Sequence, residues 1–213
     1  MAYRRTENVV RRLAEREQTI LDAARSIAGE EGMGAVQIAA VAQRADIAAG
    51  TVYRYFPSKN DLVADVIAAT AERELAAIRA AADAAPGPLS ALAACIATFA
   101  ARALQERRLA WAVMAEPVDA DIDALRLNFR RALAAELEKR IGTAVAGGHL
   151  PDQDARVAAP AVIGALLEGL VGPLAPLAGS AREAVQTVTL MALRALGVVD
   201  ARARGLVAQC VLP

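Results

Sequence analysis

Residues 37–59 read QIAAVAQRADIAAGTVYRYFPSK, and this stretch decides the fold. Apolar residues recurring at helical spacing predict a short helix over residues 37–44. A tight turn at Asp46 follows, and a second short helix is predicted over residues 48–55. Two short helices joined in this way are typical of a helix-turn-helix, whose second helix enters the major groove of DNA.

The outer face of the second helix carries residue types that suit DNA. Helical spacing directs Val52 inward and leaves Ala49, Gly50, Tyr53 and Arg54 facing outward. Small residues let the backbone approach base edges, while a tyrosine can donate to a phosphate and an arginine can reach a phosphate or a guanine. The pattern alone leaves a second interpretation open, because tyrosines at a helix end are often core or rim residues.

The flanking segments complete a three-helix unit. An amphipathic helix is predicted over residues 17–30 and ends at Gly32. Ser58, followed three residues later by Asp61, forms a capping-box pattern that begins a long helix running to about residue 82. Lys59, in the first turn of that helix, adds a cation at an end that attracts anions.

The stretch over residues 83–90, DAAPGPLS, is the first strong break in the chain. No alternation of strands and helices is apparent on either side of it. We therefore predict an all-α fold. Within it, we assign a three-helix helix-turn-helix domain to residues 1–62 and a larger helical domain to residues 63–213. Beyond the break, helices are predicted over residues 89–105, 108–115, 121–146, 154–170 and 180–196. The tail from residue 197 supports no prediction.

Composition and charge exclude several classes of protein. The 213 residues carry no net charge, so the chain lacks the overall basic field of a protein that coats nucleic acid without regard to sequence. The first 16 residues hold five arginines and two glutamates, which form either an arm that reaches phosphates or a solvated charged face. The longest uncharged run, over residues 84–101, is broken by Pro86, Gly87 and Pro88. We expect no membrane span, no secretion signal and a cytoplasmic protein.

The inventory of reactive side chains argues against an enzyme. His149 is the single histidine and lies in a Gly-rich loop, where solvent exposure is commoner than catalysis. No nucleophile elbow, HExxH, CxxC or phosphate-binding glycine loop is present. Cys95 and Cys210 are far apart, and buried small hydrophobes are their simplest interpretation. We expect no cofactor and no metal ion.

A longer string carries a family resemblance. Residues 19–63 resemble the DNA-binding domain of the TetR (tetracycline-repressor) family, through ILDAA at 20–24 and GTVYRYFPSK at 50–59. The resemblance implies a homodimeric transcriptional regulator, commonly a repressor, that binds an inverted-repeat operator in double-stranded DNA and is released by a small-molecule effector bound in a larger ligand-binding and dimerisation domain. The residues that it assigns to DNA contact are Gln37, Ala49, Gly50, Thr51, Tyr53, Arg54, Tyr55 and Lys59.

Three departures from the family pattern concern DNA binding. Gln37 stands where the family usually has Thr, and Asp46 where it has Gly. Ala48 and Ala49 replace a polar pair such as Ser-Lys, so Ala48 cannot cap the recognition helix. We expect weaker electrostatic attraction to DNA than in a typical member. A helical carrier of apolar small molecules with a vestigial DNA head therefore remains an alternative.

The family pocket lies among the helices that follow the fourth, and the region here favours an apolar or amphipathic effector. The candidate effector-binding residues are Phe99, Trp111, Met114, Phe129, Leu167 and Glu168. Core packing is the competing interpretation of the apolar ones. Glu168 is the single charge between Arg156 and Arg182, and it is expected to pair with Arg126, Arg130 or a polar group of the ligand. Glu116 is interpreted as a loop carboxylate or a helix cap.

The predicted helix over residues 180–196 is apolar on two sides, which indicates two packing partners. A second subunit is the simplest source of one partner, and a fully enclosed core helix is the alternative. Residues 154–170 and 180–196 also take the positions of the family's interface helices. The candidate interface residues are Val162, Gly164, Val185, Val188 and Ala192.

Overall fold

The computed structural model describes residues 2–117, 120–176 and 179–210, and these residues form ten α-helices without a strand. The helices are α1 (Ala2–Glu31), α2 (Ile38–Arg44), α3 (Ala49–Tyr55), α4 (Lys59–Asp83), α5 (Pro88–Gln105), α6 (Arg107–Met114), α7 (Ala120–Ala146), α8 (Ala155–Leu166), α9 (Ala181–Ala195) and α10 (Asp200–Gln209). The all-α prediction is confirmed. We call α1–α3 with the start of α4 the head, and the remaining helices the body.

The head closes around a small apolar core. Ile20 and Ala24 of α1, Val41 of α2 and Val52 of α3 have no exposed surface, and Phe56 seals the end of α3 with 1% exposed. These are the apolar positions of the helix-turn-helix sequence pattern, and α2 and α3 begin and end within a residue of the prediction. Packing of these side chains therefore fixes the orientation of α3 relative to α1 and α2.

Helix α1 begins at Ala2, about four turns before the predicted start. No glycine or proline interrupts residues 2–28, and their Arg, Glu, Leu and Ala content favours helix even without burial. Residues 8–19 are exposed, and Ile20 is the first buried residue described in α1. The basic segment is therefore a helical projection of the head, where the sequence analysis placed an arm or a charged face.

Helix α4 joins the two parts without a break. The predicted capping box is confirmed, because the Asp61 N–H donates to Ser58 Oγ at 3.1 Å and the Ser58 N–H donates to Asp61 Oδ2 at 3.0 Å. The helix then continues for 25 residues to Asp83. The domain boundary predicted between residues 62 and 63 falls inside this helix, and Leu62 and Val63 are both buried.

Helix α5 is the centre of the body and packs against α4, α7 and α9. Pro88 occupies its first turn, where the missing N–H has no intrahelical partner to lose. Its 18 residues have a mean hydropathy of 1.3, apolar and long enough to cross a membrane, and 67% of them are buried inside the protein. That burial is typical of the core helix of a soluble domain.

The last third of the chain departs most from the prediction. The predicted helix over residues 154–170 ends as α8 at Leu166 and gives way to a turn of π-helix over Leu167–Val171. The capping pattern before α9 forms in one direction, since the Glu183 N–H donates to Ser180 Oγ at 3.5 Å. The tail contains α10, whose Asp200 accepts from Arg204 at 3.0 Å and also pairs with Arg194.

Candidate DNA-binding surface

The outer face of α3 is open to solvent. Ala49, Gly50, Tyr53 and Arg54 are all exposed, and Tyr53 shows 54% of its surface although it is aromatic. The inward Val52 is fully buried. The orientation inferred from helical spacing is therefore confirmed, while the DNA contacts themselves stay a prediction. Thr51 and Tyr55 flank this face and are half-buried.

The starts of α2 and α4 set the role of two further candidate residues. Gln37 is the N-cap of α2, but its side-chain amide donates to the Gly34 carbonyl at 3.0 Å and so braces its own loop. Lys59 opens α4 and is half-buried. Because the capping box puts the Asp61 carboxylate at this helix end, attraction of a phosphate here depends on the Lys59 ammonium more than on the helix dipole.

The turn between α2 and α3 holds a non-glycine residue in the left-handed region. Asp46 has φ of +53°, and no other non-glycine residue in the described ranges has a positive φ. The Ile47 N–H donates to the Ala42 carbonyl at 3.0 Å, which fixes the turn. Aspartate tolerates this conformation better than most residues, but it leaves an exposed carboxylate between the two helices that would meet DNA.

A bidentate ion pair ties α2 to α1. Arg44 donates from Nη1 and Nη2 to the two carboxylate oxygens of Glu30 at 2.7 and 2.8 Å, and its Nη1 also reaches Ser26 Oγ at 2.7 Å. The Ser26 hydroxyl in turn donates to Glu30 Oε1 at 2.7 Å. The hydrogen bonds that Glu30 accepts, first from Arg44 and then from Ser26, lower its pKa from 4.5 to about 2. The pair holds the helix-turn-helix against the long first helix.

Head and body are joined by side chains at both ends of α6. At its start, Glu106 forms an ion pair with Arg25 of α1, and Arg108 donates to the Glu31 carbonyl at 2.6 Å. Beyond its end, Glu116 accepts from the Met33 N–H at 2.8 Å.

The sequence analysis left Glu116 open between a loop carboxylate and a helix cap. The structure shows a carboxylate that binds the backbone of the head. Gly32 makes room for it, since a Cβ at that position would lie 2.7 Å from Glu116 Oε1 and φ there is +94°. Sequence reasoning missed this contact because the partners are far apart in the chain.

Three of the candidate effector residues come together. Phe99, Met114 and Phe129 line one cavity of about 20 Å³ between α5, α6 and α7, room for about one water molecule. Trp111 is half-buried on α6, and Leu167 is buried in the π-turn, but neither lines this cavity. In this conformation the cavity is too small for an effector.

The expected internal pairing of Glu168 is wrong. Its side chain is exposed and pairs with neither Arg126 nor Arg130. Arg126 is 1% exposed and donates to the Ala112 carbonyl at 2.7 and 3.0 Å, so it satisfies the end of α6 instead. A carboxylate that stays in water needs no buried partner, because it keeps its hydration.

Four of the candidate interface residues lie inside the subunit. The exposure of each is 7% or less: Val162 5%, Val185 2%, Val188 7% and Ala192 1%. Gly164 is exposed and shares an outward stripe of α8 with Val157 and Ala161, and Glu168 of the π-turn is exposed as well. On α9 the outward stripe contains Thr187 and Met191. If a second subunit packs on these two helices, these outward stripes are the surface that it meets.

Reactive groups are few in the described parts of the chain. Residues 2–117, 120–176 and 179–210 contain no group of three His, Cys, Asp or Glu side chains that could hold a metal ion. His149 is exposed in its loop. Burial raises the pKa of the Cys95 thiol to about 12, which fits the interpretation of Cys95 as a small core residue.

Comparison with known proteins identifies sequence relatives of the head and solved structures with a similar fold. Residues 20–66 match the family described as bacterial regulatory proteins, tetR family. The transcriptional repressor KstR of Rhodococcus jostii is 52% identical over 59 residues, which are 28% of this chain and 28% of that protein. KstR of Mycobacterium tuberculosis is 55% identical over 53 residues, which are 25% of this chain and 24% of that protein. The chain thus aligns with less than a third of the length of these curated relatives.

Two solved structures share the architecture of most of the chain. The crystal structure of RolR in complex with resorcinol has a TM-score of 0.67 and 22% identity, and the match covers 94% of this chain and 98% of that one. The fatty acid degradation regulator FadR from Bacillus halodurans has a TM-score of 0.72 and 19% identity, and the match covers 86% and 97%. At these identities the likeness concerns the fold.

Proposed function

We propose that the chain is a DNA-binding transcriptional repressor of the TetR family of bacterial regulatory proteins, on the premise that residues 20–66 match that family and that the fold resembles solved regulators. The observation that carries the proposal is the open outer face of α3, where Ala49, Gly50, Tyr53 and Arg54 are exposed. An exposed tyrosine and arginine beside two residues without bulk can follow a groove and bind its phosphates. The similarity of this segment to KstR repressors supports the same function.

The operator proposed is an inverted repeat read by a homodimer. A two-fold axis in the protein requires matching half-sites about one helical turn apart, or a multiple of that spacing. Exposed large apolar side chains on the body support a subunit contact: Val157 of α8 is 66% exposed and Met191 of α9 is 43% exposed. Burying these side chains against a second copy would stabilise the dimer.

The body is proposed to bind a small, apolar or amphipathic effector that weakens DNA binding. The contacts of helix α6 support a link between effector binding and DNA binding. Through Arg108 and Glu116 its ends hold the head, and on its other side Arg107 donates to the carbonyls of Gly172, Ala175 and Pro176 after the π-turn. An effector that shifts α6 would weaken the affinity of the head for DNA. By linkage, DNA would weaken effector binding by the same free energy. The function needs neither catalysis nor a cofactor, and it operates in the cytoplasm.

The test is selection of bound fragments from random double-stranded DNA by the full chain, followed by titration of the selected sequence. We expect an inverted repeat, and we expect Tyr53→Ala with Arg54→Ala to abolish specific binding while the helical signal and oligomeric state persist. Arg131→Ala, on an exposed face of α7, is the matched control and should bind as the parent does.

The salt dependence of binding gives a second readout. Each phosphate contact contributes about 0.9 to the slope of log affinity against log salt, so Lys59→Ala should reduce that slope by about 0.9. A slope near zero in the parent protein would instead support the carrier with a vestigial DNA head. Full DNA binding by the Tyr53/Arg54 variant would show that the outer face of α3 is not the DNA-binding surface.

A further inference from the structure

A groove of about 490 Å³ lies between the second half of α4, α5 and the end of α10. This volume lies in the range of small-molecule sites, roughly 300–1,000 Å³. The apolar lining consists of Ala77 and Ala81 of α4, residues 84–86 between α4 and α5, Ala94 of α5 and Leu206 of α10. None of the candidate effector residues lines the groove. Sequence analysis missed it because its third wall is α10, in the tail that supported no prediction.

One stripe of α5 supplies the groove with its polar groups. Ser90, Ala94, Thr98 and Arg102 follow each other at four-residue spacing and all line it. Of these, Thr98 is 6% exposed.

The Thr98 hydroxyl is unpartnered. The hydroxyls of Thr19, Thr70 and Thr143 each donate to the carbonyl four residues earlier, at 2.7–2.8 Å. The Thr98 hydroxyl makes no such bond, nor any other within the described ranges. The Thr98 oxygen is not among the enclosed side-chain atoms that lack a partner, so the hydroxyl opens onto the groove and is free to donate to a molecule bound there.

Arg102 lines both the groove and the small inner cavity. Its Nε and Nη2 donate to Glu74 at 2.6 and 2.8 Å, which leaves Nη1 available toward the groove. Glu74 balances the Arg102 guanidinium charge, and the nearby Glu106 carboxylate is paired with Arg25, so this end of the groove offers no unbalanced charge. A charged ligand would therefore lose hydration without gaining a counter-charge, a cost that a neutral oxygen acceptor avoids.

We propose that the groove binds a neutral, mainly apolar small molecule whose carbonyl or hydroxyl oxygen accepts hydrogen bonds from Thr98 Oγ1 and Arg102 Nη1. Binding of this molecule in the groove does not depend on the proposed repressor function. Only the identification of the molecule as the effector rests on that function. Binding to the groove is measured without DNA, so its failure is distinguishable from failure of the repressor function, which the Tyr53/Arg54 variant tests.

The experiment is isothermal titration calorimetry of the full chain with three ten-carbon probes: 2-decanone, decanoate and decylammonium. We expect 2-decanone to bind most tightly. Ala94→Phe fills the groove and should weaken 2-decanone at least about tenfold, and Ala81→Phe fills it from α4 and should do the same. Ala135→Phe, an exposed alanine on α7 outside the groove, is the matched control and should bind like the parent. Thermal unfolding verifies that each variant is folded.

Two further readouts locate the ligand. Thr98→Val keeps the volume and should weaken 2-decanone about fivefold, the effect of one lost hydrogen bond, without lowering stability. Cys210 lines the groove and Cys95 is buried, so alkylation by N-ethylmaleimide reports on Cys210, and 2-decanone should slow it. The proposal is overturned if 2-decanone fails to bind, if decanoate or decylammonium binds as tightly, or if folded Ala94→Phe and Ala81→Phe variants bind 2-decanone like the parent.

Discussion

The candidate functional residues of the head are exposed to solvent, whereas most of those in the body are buried. Tyr53 and Arg54 stand exposed on α3, but Phe99, Met114 and Phe129 are each at most 4% exposed and surround a cavity of about 20 Å³. The head can therefore meet a rigid partner as it stands. The body must open, or use a different surface, before it can hold a small molecule. One ion pair from each region shows the same contrast: the Glu136 carboxylate of the body is buried, whereas the Glu30 carboxylate of the head is exposed.

The largest effect is expected from Glu136→Ala in the body. The Glu136 carboxylate is 7% exposed and accepts from Arg79 at 3.1 Å and from Arg140 at 2.7 Å. Burial raises its pKa, but the hydrogen bonds from the two arginines outweigh burial, and the pKa is lowered overall. Removing the carboxylate leaves two arginines without this partner and should cost about 3 kcal/mol of unfolding free energy, measured by urea denaturation.

Glu30→Ala in the head is the matched variant for Glu136→Ala. Its pair with Arg44 has the better geometry but is exposed, so it should cost far less. Equal losses of unfolding free energy in the two variants would show that burial of the carboxylate does not determine the cost of removing it.

The next effect is expected where the regions meet. Glu116→Ala removes the acceptor of the Met33 N–H and should cost about 1–2 kcal/mol. Hydrogen exchange at the Met33 amide should accelerate. Glu116→Gln retains an acceptor oxygen at the same reach and should preserve most of the protection. Unchanged exchange in the alanine variant would mean that this contact does not hold the head to the body.

A smaller effect is expected at the turn of the head. Asp46→Gly relieves the positive φ and should stabilise the protein by roughly 0.5–1 kcal/mol, after the entropy cost of glycine. Asp46→Asn removes the charge but keeps the side chain in the left-handed region. Both should tighten operator binding by no more than about fivefold, the scale of one screened charge. If the asparagine variant gains stability as glycine does, charge and not backbone strain is responsible.

The smallest effect concerns acid and the Glu30–Arg44 pair. The pKa of Glu30 is lowered in the folded protein to about 2 from 4.5, so its stabilisation is fully present above pH 4.5 and is lost as the pH falls toward 2. The stability difference between the parent and Glu30→Gln should therefore shrink over that interval, as followed by urea midpoints at successive pH values. High salt should reduce the difference throughout, because both side chains are exposed. A difference that stays constant from pH 5 to pH 2 would contradict this assignment.

Local signals explain what the sequence could predict. The helices α2, α3 and α4 are specified by apolar spacing and by the Ser58 and Asp61 cap, all within a few residues, and their bounds were correctly anticipated. The exposed side of α3 followed from the same periodicity. The prediction failed where partners are distant in the chain, as with Glu116 and Met33, which are 83 residues apart.

Packing inside the body was the other source of error. Apolar spacing showed that Val185 and Ala192 lie on a packed face, but it could not tell whether the subunit itself or a second copy covers that face. Glu168 was assigned a partner because its neighbours are apolar, yet the exposed side of the π-turn leaves it in water. Helix α10 carries a weak apolar pattern, and its position against α5 and α9 is a property of the tertiary structure.

The unbroken course of α4 has a mechanical consequence. Its 25 residues make a rod of about 37 Å at a rise of about 1.5 Å per residue. Such a rod acts as a lever: a tilt of about 5° at one end displaces the other by about 3 Å, close to the spacing of roughly 3.4 Å between successive base pairs. In the proposed repressor, a tilt of this size within the body would be enough to move α3 out of register with a DNA groove.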